Sequence, residues 1–206
     1  MLEHVKNDWT IVVVGRWNTA IFNPDWLREN NIFESTEFGL EFAMVPSMPM
    51  RITADNIALI PYSDKLIAVP EDLEETTLLG MESKFCKILN ILEHTPVTAT
   101  GINFAYKVSN SPEEIMNILT FLFREKFSEQ QLVLNSKEFR WSFKYEDIVL
   151  NLRCTVTGQE LYIKFNFHSN TINTEKAFQM INNKLLHYRD FSRVILESVF
   201  DISVGG

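Results

Sequence analysis

Residues 147–168, DIVLNLRCTVTGQELYIKFNFH, alternate apolar and polar side chains almost without fault: Ile148, Leu150, Leu152, Cys154 and Val156, then Leu161, Ile163, Phe165 and Phe167. Successive side chains of a strand point to opposite faces, so both segments carry one apolar and one polar face. TGQE between them reads as a hairpin turn. Such a hairpin needs cover on one side only, which amphipathic helices supply, and its other face stays polar.

The rest of the chain provides both kinds of element. DWTIVVVGRWN reads as a β-branched strand, and NPDWLRENNIF as a short helix with Asn23 as N-cap and Pro24 in the first position. EFGLEFAMVP alternates Phe38, Leu40, Phe42 and Met44 with smaller or charged residues, the pattern of a half-buried strand ending at Pro46. Residues 50–69 hold three short apolar runs split by ADN and YSDK, a meander of antiparallel strands. In 70–92, Asp72 and Glu75 have capping-box spacing, and apolar residues at 78, 81, 85, 88, 89 and 92 predict an amphipathic helix ending near His94.

The order then begins again. PVTATGINFAYKVS predicts a strand with Ile102, Phe104, Tyr106 and Val108 on one face and Gly101, Asn103, Ala105 and Lys107 on the other. SPEEIMNILTFLFREKF predicts a helix with Ser111 as N-cap, Pro112 following and Glu114 completing a capping box. EFRWSFKY and the 147–168 hairpin follow. NTEKAFQMINNKLLHYRDFSRVILESVF, apolar at 177, 181, 185, 188, 195 and 199, predicts the longest helix. Residues 1–95 and 96–206 therefore each run strand, short helix, meandering strands, long helix. The expectation is an α+β fold: a tandem pseudo-repeat forming one curved antiparallel sheet with helices packed on one face.

That order resembles the TATA-box-binding-protein-like group, in which two such halves share one continuous sheet; the likeness covers nearly the whole chain as topology, without that factor's sequence motifs. VVGRWN, HTPVTATGINF and FNFH are also similar to a group of sporadically distributed conserved bacterial proteins of unassigned function. That second resemblance implies no known chemistry.

Sixteen Phe, four Trp and five Tyr exceed what a solvated tail could carry, so most of these rings belong in a core or an interface. No apolar run approaches the roughly 20 residues that span a bilayer, and MLEHVKNDW lacks a basic start followed by an apolar stretch. A soluble, cytoplasmic protein is expected, with Cys86 and Cys154 as buried reduced thiols. The net charge of −8 lies wholly in residues 1–93, with 7 Lys and Arg against 15 Asp and Glu; residues 94–206 hold 12 of each. That balance weighs against a general nucleic-acid binder but leaves room for a local basic face.

No CxxC pair, HExxH or phosphate-cradling glycine loop is present, so neither a cofactor nor a metal is expected and an enzyme is disfavoured. His168 with Asp147 or Glu146 is the one metal-like grouping that neighbouring strands allow, short of the three ligands catalytic zinc needs. The polar face of the second half is richer. By alternation it collects Arg140, Lys144, Arg153, Lys164, Asn166 and His168, with Glu138, Glu146 and Glu160 as balancing charges, and Asn103 projects to the same side near Gly101. Gly101 is expected to allow bending or close backbone approach where the halves meet. The corresponding face of the first half is expected to be acidic, through Glu37, Glu41 and Asp55. The leading reading is a non-enzymatic protein-interaction or adaptor module, a subunit of a bacterial multiprotein system that binds a protein partner or itself. The alternatives are nucleic-acid binding on the basic sheet face, or a small-ligand site at the seam between the halves.

Overall fold

The 147–168 stretch forms the hairpin its alternation demands. In the computed structural model, which describes residues 1–42, 49–109 and 135–204, it becomes strands Ile148–Thr157 and Glu160–Asn170 around Gly158 at φ +59°. Ile148, Leu150, Leu152, Cys154 and Val156 are buried, as are Leu161, Ile163, Phe165 and Phe167. At roughly 1.5–3 kcal/mol for each large apolar side chain removed from water, this face alone strongly favours the sheet.

Ten strands are described: β1 (Leu2–His4), β2 (Thr10–Gly15), β3 (Gly39–Glu41), β4 (Arg51–Ala54), β5 (Ile57–Pro61), β6 (Lys65–Pro70), β7 (Val97–Val108), β8 (Lys137–Tyr145), β9 (Ile148–Thr157) and β10 (Glu160–Asn170). They form one antiparallel sheet in the order β3-β4-β5-β6-β2-β7-β10-β9-β8. β1 lies along the β2 side of β7, pairing His4 with Tyr106. The β4–β5 turn places Asp55 and Asn56 at φ 50° and 58°, the doubly left-handed geometry of a tight hairpin.

Four helices are described: α1 (Pro24–Glu29), α2 (Glu75–Ile91), α3 (Thr174–Ile181) and α4 (Leu185–Phe200). α2, α3 and α4 pack together and against β6 and β7 on one side of the sheet. The fold is α+β, an antiparallel sheet with helices on one face. The core lies between them, with Phe85 and Leu89 from α2 and Tyr188 and Leu196 from α4 buried beside Phe104, Phe165 and Phe167 of the sheet.

Several local expectations change. The last helix is two helices, broken at Asn182–Lys184, where Asn183 takes φ 59°. The reason is buried in α2: the Glu82 carboxylate, 6 % exposed, accepts the backbone N–H of Asn183 (2.8 Å), Lys184 (3.0 Å) and Leu185 (2.8 Å) and caps α4. α2, with 17 residues, is therefore the longest described helix. Its N-cap is Glu74, and Asp72 accepts the Glu74 N–H instead of forming a box with Glu75. Among the described residues the 37–46 strand shrinks to three exposed positions of β3, with Phe42 71 % exposed. Met44, Pro46 and the helix expected over 111–127 lie outside the described residues.

Candidate functional site

The face opposite the helices is built row by row from strand register. Thr10 pairs with Asn103, Asn103 with Asn166, Asn166 with Asn151 and Asn151 with Ser142, so one row crosses β2, β7, β10, β9 and β8. The side chains bond along it. Asn103 Nδ2 donates to Thr10 Oγ1 (2.9 Å), Asn166 Nδ2 to Asn103 Oδ1 (2.9 Å), Asn151 Nδ2 to Asn166 Oδ1 (3.1 Å) and Ser142 Oγ to Asn151 Oδ1 (3.0 Å). The amides of Asn103 and Asn166 thus satisfy each other and their neighbours, and part-exposed Asn166 and Asn151 each keep one N–H and one lone pair that a partner could meet.

Gly101 has a different role from the one expected. β7 runs through it in unbroken register, and the nearest backbone atom to a Cβ built there is Phe167 O at 3.9 Å. The close neighbour is Asn166 Nδ2, at 3.0 Å from that Cβ. The missing side chain leaves room for the amide row. Close backbone approach occurs instead at Gly15, where the β2–β7 register shifts and a Cβ would sit 2.5 Å from Pro96 O.

The basic residues fall beside this row. Arg140, Arg153 and Lys164 are consecutive cross-strand partners. Glu138 binds both Arg140 and Arg153, and the Arg140 hydrogen bond foremost holds its carboxyl below the ordinary value. Lys164 Nζ reaches Asp8 Oδ1 at 2.9 Å, and Tyr162 donates its hydroxyl to the other Asp8 oxygen at 2.5 Å. Burial opposes charge on Asp8, but these bonds outweigh it and keep its carboxyl below its usual value. Asp8 ends a 3-10 turn, Lys6–Asp8, that straps over β6 and β7 and is pinned at its other end by Lys6 on Glu71 O. Sequence reasoning missed this strap, because its partners lie 154 and 156 residues away.

Lys144 and His168 flank the next row, Lys144–Val149–His168–Gly101–Val12–Ile67–Ile60. His168 Nε2 lies 3.2 Å from Asn170 Oδ1. Glu146 turns instead to Lys184, at 3.7 Å, and no group of three or more His, Cys, Asp or Glu placed to hold a metal occurs among the described residues. The structure therefore brings Asn103, Asn166, Arg140, Arg153 and Lys164 into two adjacent rows, with Lys144 and His168 at one end of a third.

Two of the three carboxylates expected to make the first-half face acidic are engaged with cations. Asp55 bends to the other side, accepting the N–H of Glu34 and Ser35 and facing Lys84 at 3.3 Å, while Glu41 sits in short β3 opposite Arg51. Val12, Val14, Ile60 and Ile67 occupy the uncovered face, each part-exposed, with Val14 at 38 %. The signal was present: VVV in β2, IALI in β5 and LIAV in β6 are unbroken apolar runs rather than alternations, the pattern of strands apolar on both faces.

Cys86 and Cys154 are free and buried, and burial pushes both thiols up to about 12, which removes them as nucleophiles. No helix among the described residues is long and apolar enough to cross a membrane. No family model matches the chain, and no curated protein matches it.

Proposed function

We propose that the chain is a non-enzymatic interaction module whose uncovered sheet face receives a protein surface, in the simplest case that of a second copy. The observation that carries this is the composition of the face: an internally satisfied amide row beside part-exposed Val12, Val14, Ile60 and Ile67. Amide groups with spare donors and acceptors next to aliphatic side chains fit the mixed character of protein interfaces. Charge favours a second copy. The chain carries −8, yet Arg140, Arg153 and Lys164 on this face are engaged by Glu138 and Asp8, which leaves only a small local positive excess to oppose the meeting of two such faces. A place as an adaptor or subunit in a larger cytoplasmic assembly of a bacterium extends the same reading, consistent with two free buried thiols.

The proposal includes a relation to the TATA-box-binding-protein-like fold, with residues 1–95 and 96–206 as its two units. What supports it is that β2 and β7 lie side by side, each next to the last strand of its own half, β6 and β10, from which earlier strands run outward. Light scattering after size exclusion tests the leading reading. The expected mass exceeds that of a monomer and falls to it in Ile67→Glu; a monomer at every concentration sinks self-association.

Binding of nucleic acid stands second, supported by the Arg140–Arg153–Lys164 row and by Lys144 on an uncovered face. It ranks lower because Glu138 and Asp8 already engage those three cations, and a polyanion would have to displace them. It requires salt-sensitive affinity that Arg140→Glu with Arg153→Glu abolishes. No binding at low salt removes it.

A further inference from the structure

On the helix side, away from the amide row, a cavity of about 420 Å³ opens between the β8–β9 turn, the end of β10, α3 and the start of α4. Its size falls within the roughly 300–1,000 Å³ of small-molecule sites. Tyr188 forms part of its wall. That residue is 2 % exposed, its ring stacks on Phe167 at 4.4 Å, and its hydroxyl has no hydrogen-bond partner among the described residues. Burial, with Glu146 and Tyr145 nearby, pushes that hydroxyl up to about 12, so it remains a donor. The hydroxyl oxygen is not sealed from solvent, so it stays available to an acceptor that enters the cavity.

The charges around the cavity define what fits. Lys184 and Glu146 face each other at 3.7 Å and balance. Lys176 on α3 is engaged only by the neutral Gln179 oxygen, at 3.0 Å, and Asp147 on the β8–β9 turn has no ion-pair partner among the described residues. One unmatched cation and one unmatched anion thus line the same cavity from different elements. A dianion such as phosphate meets Asp147 and Glu146, and a simple amine meets Lys176 and Lys184; a molecule carrying both charges meets neither penalty. Ile148, Ile172 and Met180 supply the remaining apolar wall, with Ile172 84 % exposed at the rim.

We infer that this cavity binds a small zwitterion, an α-amino acid with an aliphatic side chain. Lys176 and the Tyr188 hydroxyl receive its carboxylate, Asp147 its ammonium, and Ile172 with Met180 its side chain. Such a site would let ligand occupancy act on the α3–α4 break, which the cavity touches at Lys184.

Calorimetry and thermal shift on the full chain test it, with four probes: L-leucine, 3-methylbutylamine, 4-methylpentanoate and inorganic phosphate. The expected result is binding of leucine, with each singly charged analogue about twofold to fivefold weaker, as for exposed ion pairs. Lys176→Met should bring leucine down to the level of the amine, and Asp147→Asn down to that of the carboxylate. Tyr188→Phe should weaken leucine by about tenfold while keeping the fold. Both charge variants are at exposed positions, so folding survives them, and circular dichroism confirms it. Equal binding of leucine and both analogues, preference for phosphate, or no binding of leucine at millimolar concentration overturns the inference.

Discussion

The uncovered face is made of the same rows throughout, yet its two ends differ. Across β7, β10, β9 and β8 one row carries Asn103, Asn166, Asn151 and Ser142; across β2, β6 and β5 the next carries part-exposed Val12, Ile67 and Ile60. At the polar end, register is fixed by specific bonds, and a slip of one residue would break every one of them. At the apolar end nothing comparable selects a register on this face; there the packing of Ile11, Val13, Leu66 and Leu59 against the helices does. The polar end is self-sufficient in water, whereas the apolar end gains by being covered.

The largest effect is expected where the polar end is tightest. Gly101→Val would drive side-chain atoms into the space of the Asn166 amide, already 3.0 Å from a Cβ, and displace an amide that serves both Asn103 and Asn151. The expected cost is about 2–3 kcal/mol in denaturant unfolding, from overpacking plus lost hydrogen bonds. Asn103→Ala, at a position 9 % exposed, leaves an Asn166 donor and Thr10 without a partner and should cost about 1–2 kcal/mol. The matched change at the apolar end, Val12→Ala, removes two methyl groups from a part-exposed side chain and should cost less than either. If Val12→Ala proves the more damaging, the two ends have been assigned the wrong roles.

The strap that joins the two ends gives a smaller, pH-dependent effect. The Asp8 carboxyl lies below its ordinary 3.8 in the folded chain, so its contribution is complete above that value and is lost as pH falls through the folded value. His4, on the helix side of the same segment, is shifted the other way, since burial and then the Arg193 charge lower its value from 6.5. A lowered histidine makes stability decline as pH falls below 6.5, because the unfolded chain takes up the proton first. Acid unfolding should therefore show an upper limb abolished by His4→Phe and a lower limb weakened by Asp8→Asn. The Asp8 part should be about 1 kcal/mol or less, since its side chain is 37 % exposed and screened by water.

Most of the fold was legible because its decisive signals are local. Alternation in 147–168, the ADN turn and the apolar spacing of 78–89 each act within a few residues of the atoms they position. The polar half of the site was legible for the same reason: alternation puts Arg140, Arg153 and Asn166 on one side whatever their neighbours. What stayed hidden depends on partners distant in sequence. Glu82 breaks the last helix from 101 to 103 residues away, Asp8 crosses to Tyr162 and Lys164, and Asp55 turns to Lys84. The apolar end was written in VVV and LIAV but was outweighed by charge counts, which report composition and not direction.

The smallest expected effect distinguishes two ways the polar row can hold together. Ser142 is its exposed end and makes one bond, to Asn151 Oδ1 at 3.0 Å, so in Ser142→Ala water replaces the hydroxyl at a cost below about 0.5 kcal/mol. The informative quantity is its coupling to Asn103→Ala. The two sites are three strand steps apart, about 14 Å at about 4.8 Å per strand, and independent bonds over that distance add to within about 0.5 kcal/mol. A chain of amides polarising one another would instead make the first loss larger and the second smaller, giving a coupling above that limit. Additivity is the expected outcome, because Asn151 and Asn166 are part-exposed and water competes for their free lone pairs and hydrogens. Denaturant unfolding of the two single variants and the double variant decides it. A large coupling would mean that the row behaves as one rigid unit, so that a partner touching Ser142 at the rim is felt at Asn103 beside the strap.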